Sequence, residues 1–182
     1  MATETATATT WAIDPTHSEV QFKVKHLMVS TVTGLFSQYE GQLETHGDDF
    51  TDAKISFSAD VASISTGNEQ RDGHLKSADF FDVEKFPKLT FSSTSVTKTG
   101  DDTYNVVGDL TMHGVTKPVT LKVEYGGQMQ DFYGQTKAGF ELTGTLKRKE
   151  FGLVWDGVTE AGGVVVSDDV KLVMNIQVTK QA

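Results

Sequence analysis

Eight stretches of this chain alternate apolar and polar residues with a period of two, whereas segments with a helical period are almost absent. Successive side chains of a β-strand point to opposite faces, so each stretch predicts a strand with one buried and one solvated face. The clearest stretch places five apolar side chains on one face: Val170, Leu172, Met174, Ile176 and Val178. Eight such strands in 182 residues predict one antiparallel sheet curled around an apolar interior. That interior is either filled by side chains or open to a ligand.

The predicted strands are separated mostly by short turns. They cover residues 19–26, 32–43, 53–61, 89–97, 104–112, 119–125, 138–146 and 170–178. Gly34 and Gly41 are expected to break the second strand, because glycine weakens a strand interior. A polar loop, residues 46–52, is expected before the third strand.

Two connections are longer and irregular. The first, residues 65–86, contains the best helix candidate, residues 69–77, with Asn68 as its capping residue. The second covers residues 147–163. Two long connections among hairpins favour a single barrel domain, residues 11–182, over a sandwich. The predicted fold class is therefore all-β, an eight-stranded antiparallel barrel with a short helical crossover.

Composition excludes several classes of protein. The net charge of -9 argues against nucleic-acid binding, which depends on basic surface. The chain has no cysteine, so disulfides and thiolate chemistry are excluded. No segment approaches the roughly 20 apolar residues of a spanning helix, and we expect no stable membrane insertion. Residues 1–10 lack the basic start and apolar run of a signal peptide, so we expect a disordered tail and a cytoplasmic protein.

The sequence contains no recognisable catalytic or metal-binding constellation. Its histidines are scattered without the spacing of metal ligands: His17, His26, His46, His74 and His113. No serine lies in a nucleophile-elbow sequence, and no glycine-rich stretch joins a strand to a helix as a phosphate loop does. We therefore predict no catalytic residues, no metal and no cofactor.

Three polar residues depart from the pattern of a simple core. His26 shares the face of Val20 and Phe22, so it is either a hydrogen-bonded core residue or a polar contact for a ligand. Arg71 and Arg148 are the only arginines, and both lie in the long connections. Arg71 either forms a structural ion pair that fixes the crossover or binds an anion at a cavity entrance. Arg148 belongs to the densest basic cluster, which is ordinarily solvated.

The phenylalanines decide between a packed and a hollow interior. Taken singly, each of the eleven is an ordinary core residue. Several lie together on inward faces, where Gly108, Gly144 and Ala138 are expected to leave room. As a group they indicate a cavity.

The sequence resembles the YceI-like family, the bacterial polyisoprenoid-binding, lipocalin-like proteins. The matching motifs span about residues 11–178 and include Trp11-x-Ile13-Asp14-Pro15-x-His17-Ser18, Phe22-x-Val24-Lys25-His26-Leu27, Gly34-Leu35-Phe36, Arg71-Asp72-Gly73-His74-Leu75-Lys76-Ser77-Ala78-Asp79-Phe80-Phe81, Phe86-Pro87, Phe91-x-Ser93-Thr94, Gly108-Asp109-Leu110-Thr111-Met112-His113-Gly114-Val115-Thr116-Lys117-Pro118-Val119 and Phe151-Gly152-Leu153-x-Trp155. The resemblance implies a lipocalin-like barrel with an apolar tunnel, an isoprenoid-chain ligand such as a polyprenyl phosphate or isoprenoid quinone, and a homodimer. The segment that begins at Lys147 is more basic than the family pattern, which leaves the head group open.

These observations lead to one hypothesis and two rivals. We expect a non-catalytic protein that stores or transports an isoprenoid or another long-chain lipid. The expected cavity wall is Phe22, His26, Phe36, Phe57, Phe91, Leu110, Met112, Phe140, Leu172 and Met174. Trp155, Phe80 and Phe81 are expected to line or cap an end, with Arg71, His74 and Arg148 near a head group. The rivals are a lipid-modifying enzyme that uses His26 and a structural module whose barrel is a packed core.

Overall fold

A computed structural model describes residues 8–27, 29–46, 50–155 and 166–181. Within these ranges one sheet of eleven strands surrounds the core, and one α-helix lies in the first long connection. The strands are β1 (Thr9–Ile13), β2 (Glu19–His26), β3 (Ser30–Phe36), β4 (Tyr39–Thr45), β5 (Lys54–Asp60), β6 (Ile64–Ser65), β7 (Lys88–Lys98), β8 (Thr103–Met112), β9 (Val115–Gln130), β10 (Thr136–Lys147) and β11 (Asp169–Lys180), and the helix is α1 (Glu69–Lys76). No helix in these ranges is long and apolar enough to cross a membrane.

The sheet closes into the predicted eight-stranded antiparallel barrel. Its order is β1-β4-β5-β7-β8-β9-β10-β11, and pairing of β11 with β1 completes the ring. β2, β3 and β6 continue β1, β4 and β5 past short bends, so each of these three pairs corresponds to one long strand. β1 and β2 both pair with β11, at successive positions along it. In the same way, β4 pairs with β1 and β3 pairs with β2. The predicted fold class is confirmed.

The bend in the second predicted strand is not where the glycines lie. It falls between Phe36 and Tyr39, whereas Gly34 and Gly41 lie inside paired strands. Gly34 pairs with Phe22, and a Cβ on Gly34 would lie only 2.1 Å from Cζ of that ring. Glycine is therefore required at position 34 because an aromatic ring occupies the space over its backbone. The prediction that these glycines break the strand is wrong.

The bend between β1 and β2 is fixed by the carboxylate of Asp14. This side chain accepts hydrogen bonds from the backbone N–H of Thr16 (3.0 Å) and its hydroxyl (2.6 Å). The Nδ1 atom of His17 lies 2.8 Å away, and Nζ of Lys137 on β10 lies 3.3 Å away. The Thr16 and His17 hydrogen bonds hold the pKa of Asp14 far below its usual range. The bend is thereby joined to β10, the strand beyond β11, through an ionised carboxylate.

The irregular segments cover the two ends of the barrel. α1 begins after Asn68, whose side chain accepts from the N–H of Arg71 at 3.0 Å, so the predicted helix and its cap are confirmed. Phe80 and Phe81 follow the helix and are buried at that end. Phe50 is buried at the opposite end, with its ring 5.1 Å from that of Phe140.

Two sequence predictions fall partly on residues outside the described ranges. Residues 1–7 of the predicted disordered tail are not described, and β1 begins at Thr9, two residues before the predicted start of the domain. Residues 156–165 of the second connection are also outside these ranges. Its described part begins with a 3-10 turn, Arg148–Phe151.

Candidate ligand-binding site

The barrel encloses an apolar cavity of about 250 Å³, measured as the space in which the centre of a water-sized group can lie. The inward face of β11 forms one wall, because all five apolar residues of the predicted alternation reach it. Most of the residues expected in the wall or at an end also line it: Phe22, Phe36, Phe57, Phe80, Phe81, Phe91, Leu110, Met112, Phe140, Arg148, Leu172 and Met174. Almost all of the surface that faces this space is apolar. Its walls therefore bind hydrocarbon through van der Waals contact and exclusion of water.

The inward side chains differ in how much of their surface stays accessible inside the barrel. The inward side chains of β8 and β9, such as Val106 and Leu121, are buried. Those of β2, β10 and β11, such as Phe22, Leu142 and Met174, keep part of their surface accessible although they face inward. Leu142 and Met174 pair across β10 and β11, and Met174 pairs with Val20 on its other side. The inward side chains of β2, β10 and β11 therefore keep more accessible surface than those of β8 and β9, which line the same cavity.

The small residues expected to leave room do not create this space. A Cβ on Gly108 would lie 2.3 Å from Cζ of Phe91, and one on Gly144 would lie 2.8 Å from a methyl group of Leu121. Ala138 is 1% exposed. These positions are small because neighbouring side chains fill the space above them, so that part of the prediction is wrong.

Phe50 is a wall residue that the sequence analysis missed. It was assigned to a polar loop, yet its ring packs against Tyr125 (5.1 Å), Phe140 (5.1 Å) and Trp11 (6.2 Å) between ring centres. It is buried and closes one end of the cavity. A single phenylalanine among polar residues has no periodic signal, and its only indication was that a large apolar side chain rarely stays in water. Tyr104, whose ring centre is 6.5 Å from that of Phe50, was also omitted from the expected wall although it lines the cavity.

His26 does not line the cavity. The face it shares with Val20 and Phe22 points inward, as predicted, and Val24 is the last residue of that face to reach the cavity. His26 is half-buried at the end of β2, where it bridges to Val166. β2 pairs with β11 only as far as Lys23, and the inward direction expected from strand parity does not place the imidazole of His26 in the cavity wall.

Arg71 holds the crossover through hydrogen bonds to Thr66, whereas the structural alternative named an ion pair. Its Nε and Nη2 atoms donate to the hydroxyl and carbonyl oxygens of Thr66 at 2.7 and 2.8 Å. The neighbouring Asp72 accepts from the N–H of the same Thr66 at 2.9 Å. Arg71 therefore holds the segment before α1 through hydrogen bonds to Thr66, and it does not line the cavity.

His74 and Trp155 form an outer cap over the cavity wall. The ring of His74 lies edge-on to Phe80 and Trp155, with 5.1 Å between ring centres in both pairs. Its Nε2 atom lies 2.9 Å from the Asp79 carboxylate. Neither His74 nor Trp155 lines the cavity, but both cover Phe80, which does. The expectation that Trp155 caps an end fits this position.

Arg148 lies at the cavity wall, although backbone carbonyls occupy its donors. The residue is 3% exposed. Nη1 donates to the carbonyls of Leu153 and Trp155 at 2.7 Å each, and Nε donates to that of Ser167 at 2.9 Å. Nη2 lies 3.2 Å from the carbonyl of Val166 and 3.6 Å from Asp168. The guanidinium is hydrogen-bonded to both described parts of the second connection. These hydrogen bonds leave little donor capacity for a head group.

The described residues contain no group of three or more His, Cys, Asp or Glu side chains that is arranged to hold a metal ion. The cavity wall likewise presents no paired carboxylates and no histidine beside a hydroxyl among these residues. Its arrangement supports binding by an apolar surface.

Comparison with known families decides the relationship of the chain. The YceI-like domain matches residues 11–178, which is nearly the whole sequence. The chain belongs to the YceI-like family. Among curated YceI-like relatives, a UPF0312 protein of Staphylococcus aureus (strain N315) is 40% identical over 164 residues, which cover 90% of this chain and 93% of that protein. A UPF0312 protein of Pseudomonas putida (strain F1) is 43% identical over 143 residues, or 79% of this chain and 74% of that protein.

Solved YceI-like structures share the fold. The Campylobacter jejuni YceI protein is 31% identical with a TM-score of 0.74, covering 87% of this chain and 90% of its own. Burkholderia cenocepacia BcnA is 23% identical with a TM-score of 0.79, covering 91% and 98%. A polyisoprenoid binding domain from Saccharophagus degradans is 17% identical with a TM-score of 0.68, covering 94% and 98%. The last two likenesses concern the fold alone.

Proposed function

We propose that this YceI-like protein binds one isoprenoid or similar apolar chain in its barrel, and that it stores or transports that chain without altering it. The cavity carries this proposal, because inward side chains of β2, β10 and β11 keep accessible surface inside a closed barrel. A similar fold occurs in a polyisoprenoid binding domain, which supports the choice of ligand class.

The cavity volume sets the length of chain that the barrel accommodates. As an order-of-magnitude guide, one water-sized group occupies about 10–15 Å³, so a cavity of about 250 Å³ holds on the order of twenty non-hydrogen atoms. That corresponds to about four five-carbon isoprene units. Each buried unit contributes roughly 3–4 kcal/mol before the cost of ordering the chain is subtracted.

A catalytic role is the weaker alternative. The proposed enzyme depended on His26, and the imidazole lies beyond the end of the cavity. A packed structural core is also disfavoured, since Met174 and Leu142 face open space. Chemical transformation of an added isoprenoid alcohol by the purified protein would favour the enzyme.

A chain-length series tests the proposal. Isoprenoid alcohols of two to eight units would be titrated into detergent-free protein by calorimetry. We expect affinity to rise with each unit up to about four units and then to level off, because further units find no room inside. The heat-capacity change should be negative and grow over the same range, as burial of apolar surface requires.

Straight-chain alcohols with the same number of carbons provide the control. They should bind with a similar dependence on length, because apolar walls discriminate weakly between hydrocarbons. Absence of binding by every chain would contradict the proposed function. Affinity that rises with length without levelling off would place the chain on the surface.

A homodimer and a cytoplasmic location remain predictions. Analytical ultracentrifugation of the protein with and without geranylgeraniol checks the first. Fractionation of cells that express the full chain checks the second.

A further inference from the structure

The barrel wall contains a gap between β5 and β7. Pairing of these strands runs from Asp60 and Lys88 to Ser56 and Ser92, and there the ladder ends. The next β5 residue, Ile55, donates its N–H to the side-chain oxygen of Ser93 at 2.8 Å instead of to the β7 backbone.

A bulge in β7 explains the separation. Ser93 pairs with Gly108 and Ser95 pairs with Val107, so Thr94 is an extra residue without a partner on β8. The hydroxyl of Thr94 donates to the carbonyl of Val107 at 3.1 Å, which fixes the bulge. β7 therefore follows β8 to Lys98 and turns away from the start of β5.

A polar groove lies on the outside of this gap and shares part of its wall with the cavity. The groove is lined by Thr10, Gln42, Glu44, Ser92, Ser93, Thr94, Ser95, Val96 and residues 51–56. Five of its lining residues also line the apolar cavity: Gln42, Ala53, Ile55, Ser56 and Val96. A chain in the cavity thus has a polar compartment directly beside it, across one layer of the wall.

The side chains of the groove suit a neutral polar group. Hydroxyls predominate, from Ser56, Ser92 and Ser95 among others, and each is both donor and acceptor. Of the charged residues that line it, Glu44 and Asp52 are acidic and Lys54 is basic. His46 adds a further donor nearby, with Nε2 3.4 Å from Glu44 and Nδ1 3.8 Å from Asp52. The lining of the groove therefore carries two carboxylates and one ammonium, and the whole protein has a net charge of -9. Both net charges are negative and repel a phosphate.

We propose that this groove holds the head group of the bound chain, and that it selects an uncharged, oxygen-containing head group (an alcohol or a quinone) over a phosphate. This inference rests on the proposed function. The tail then lies in the apolar cavity, and its polar end leaves the cavity between β5 and β7, beside Ile55, Ser56 and Val96, which line both spaces.

Charge reversal tests the selectivity. Calorimetry would compare geranylgeraniol, geranylgeranyl phosphate and a benzoquinone with a four-unit isoprenoid tail. The unmodified protein should bind the alcohol and the quinone at least about tenfold more tightly than the phosphate at low salt. In the double variant Glu44→Lys and Asp52→Lys that preference should fall by about tenfold or more. The control variant, Glu124→Lys with Glu141→Lys, makes the same change in net charge on exposed strand positions outside the groove and should keep the preference.

A steric test locates the head group independently of charge. Ser95→Trp places an indole in the groove, while Thr97→Trp places one two residues farther along the same outer face of β7. Ser95→Trp should weaken geranylgeraniol by about tenfold and should affect phytane, the saturated chain without a head group, by less than about threefold. Thr97→Trp should change neither.

The outcomes separate this inference from the proposed function. If the unmodified protein binds neither phytane nor geranylgeraniol, the proposed function fails. A second outcome is that the protein binds both, that the phosphate binds as tightly as the alcohol, and that Glu44→Lys with Asp52→Lys leaves the ratio of these two affinities unchanged. That outcome overturns only the head-group assignment. Equal weakening by Ser95→Trp and Thr97→Trp would overturn it as well.

Discussion

Filling the cavity from β11 should exclude about one isoprene unit. Met174 faces the open space between Leu142 and Val20, and tryptophan has about six more non-hydrogen atoms than methionine. Burial of five carbons contributes about 4 kcal/mol to the binding free energy. The net loss is smaller, because a unit that stays outside the cavity no longer has to be ordered. We therefore expect Met174→Trp to weaken geranylgeraniol binding by about 2–3 kcal/mol, or roughly 30- to 150-fold in Kd.

The same variant reports on whether the interior is hollow. An added ring that enters free space leaves the free energy of unfolding unchanged or raises it by up to about 1 kcal/mol. A ring forced into a packed core lowers it by about 1–3 kcal/mol. Asn175→Trp is the matched control, because its side chain lies on the exposed face of the same strand.

Titration calorimetry and urea unfolding measure the two quantities on the same preparations. The reasoning is refuted if Met174→Trp binds geranylgeraniol within about threefold of the unmodified protein. It is also refuted if Met174→Trp is destabilised while Asn175→Trp is not, because the side chain would then have met packed neighbours.

Three further substitutions test the framework around the cavity. In urea unfolding, Gly34→Ala should cost about 1–3 kcal/mol, because its Cβ would overlap an aromatic ring, whereas Gly139→Ala, with open space around its Cβ, should cost less than about 0.5 kcal/mol. Arg148→Met should lower the free energy of unfolding by about 3 kcal/mol or more, because buried carbonyls lose their donors. Lys149→Met should lower it by less than about 1 kcal/mol. Asp14→Asn should cost about 1–2 kcal/mol at pH 7; because folding lowers the pKa of this carboxyl, the difference between the two proteins should shrink as the pH falls below about 4. Similar losses for both members of the glycine or basic pair, or a pH-independent Asp14→Asn effect, would contradict these assignments.

The regular part of the wall could be predicted because strand alternation is a local signal. In residues 170–178 the five alternating apolar side chains all reach the cavity, whereas Val173, on the other face of the strand, does not line it. Glycine was a poor guide to strand breaks, because sequence does not show that the Phe22 ring lies over Gly34. The bend itself falls after Phe36, where no breaking residue occurs.

One end of the barrel and the gap in its wall could not be predicted. Phe50 closes one end from a loop whose other residues are polar, and nothing local marks the direction of its ring. Arg148 was expected near a head group, but its partners are backbone carbonyls, which every residue offers equally. The gap depends on the extra residue Thr94, whose effect appears only when β7 is aligned with β8.

Quantitative extraction of bound lipid from protein purified without detergent tests the central claim most directly. Denaturing mass spectrometry would identify and count small molecules released by each protein molecule. We expect close to one hydrocarbon chain per barrel, and less of it from Met174→Trp prepared in parallel. Protein that releases no lipid and takes up no geranylgeraniol when it is offered would contradict the claim that the barrel holds an apolar chain.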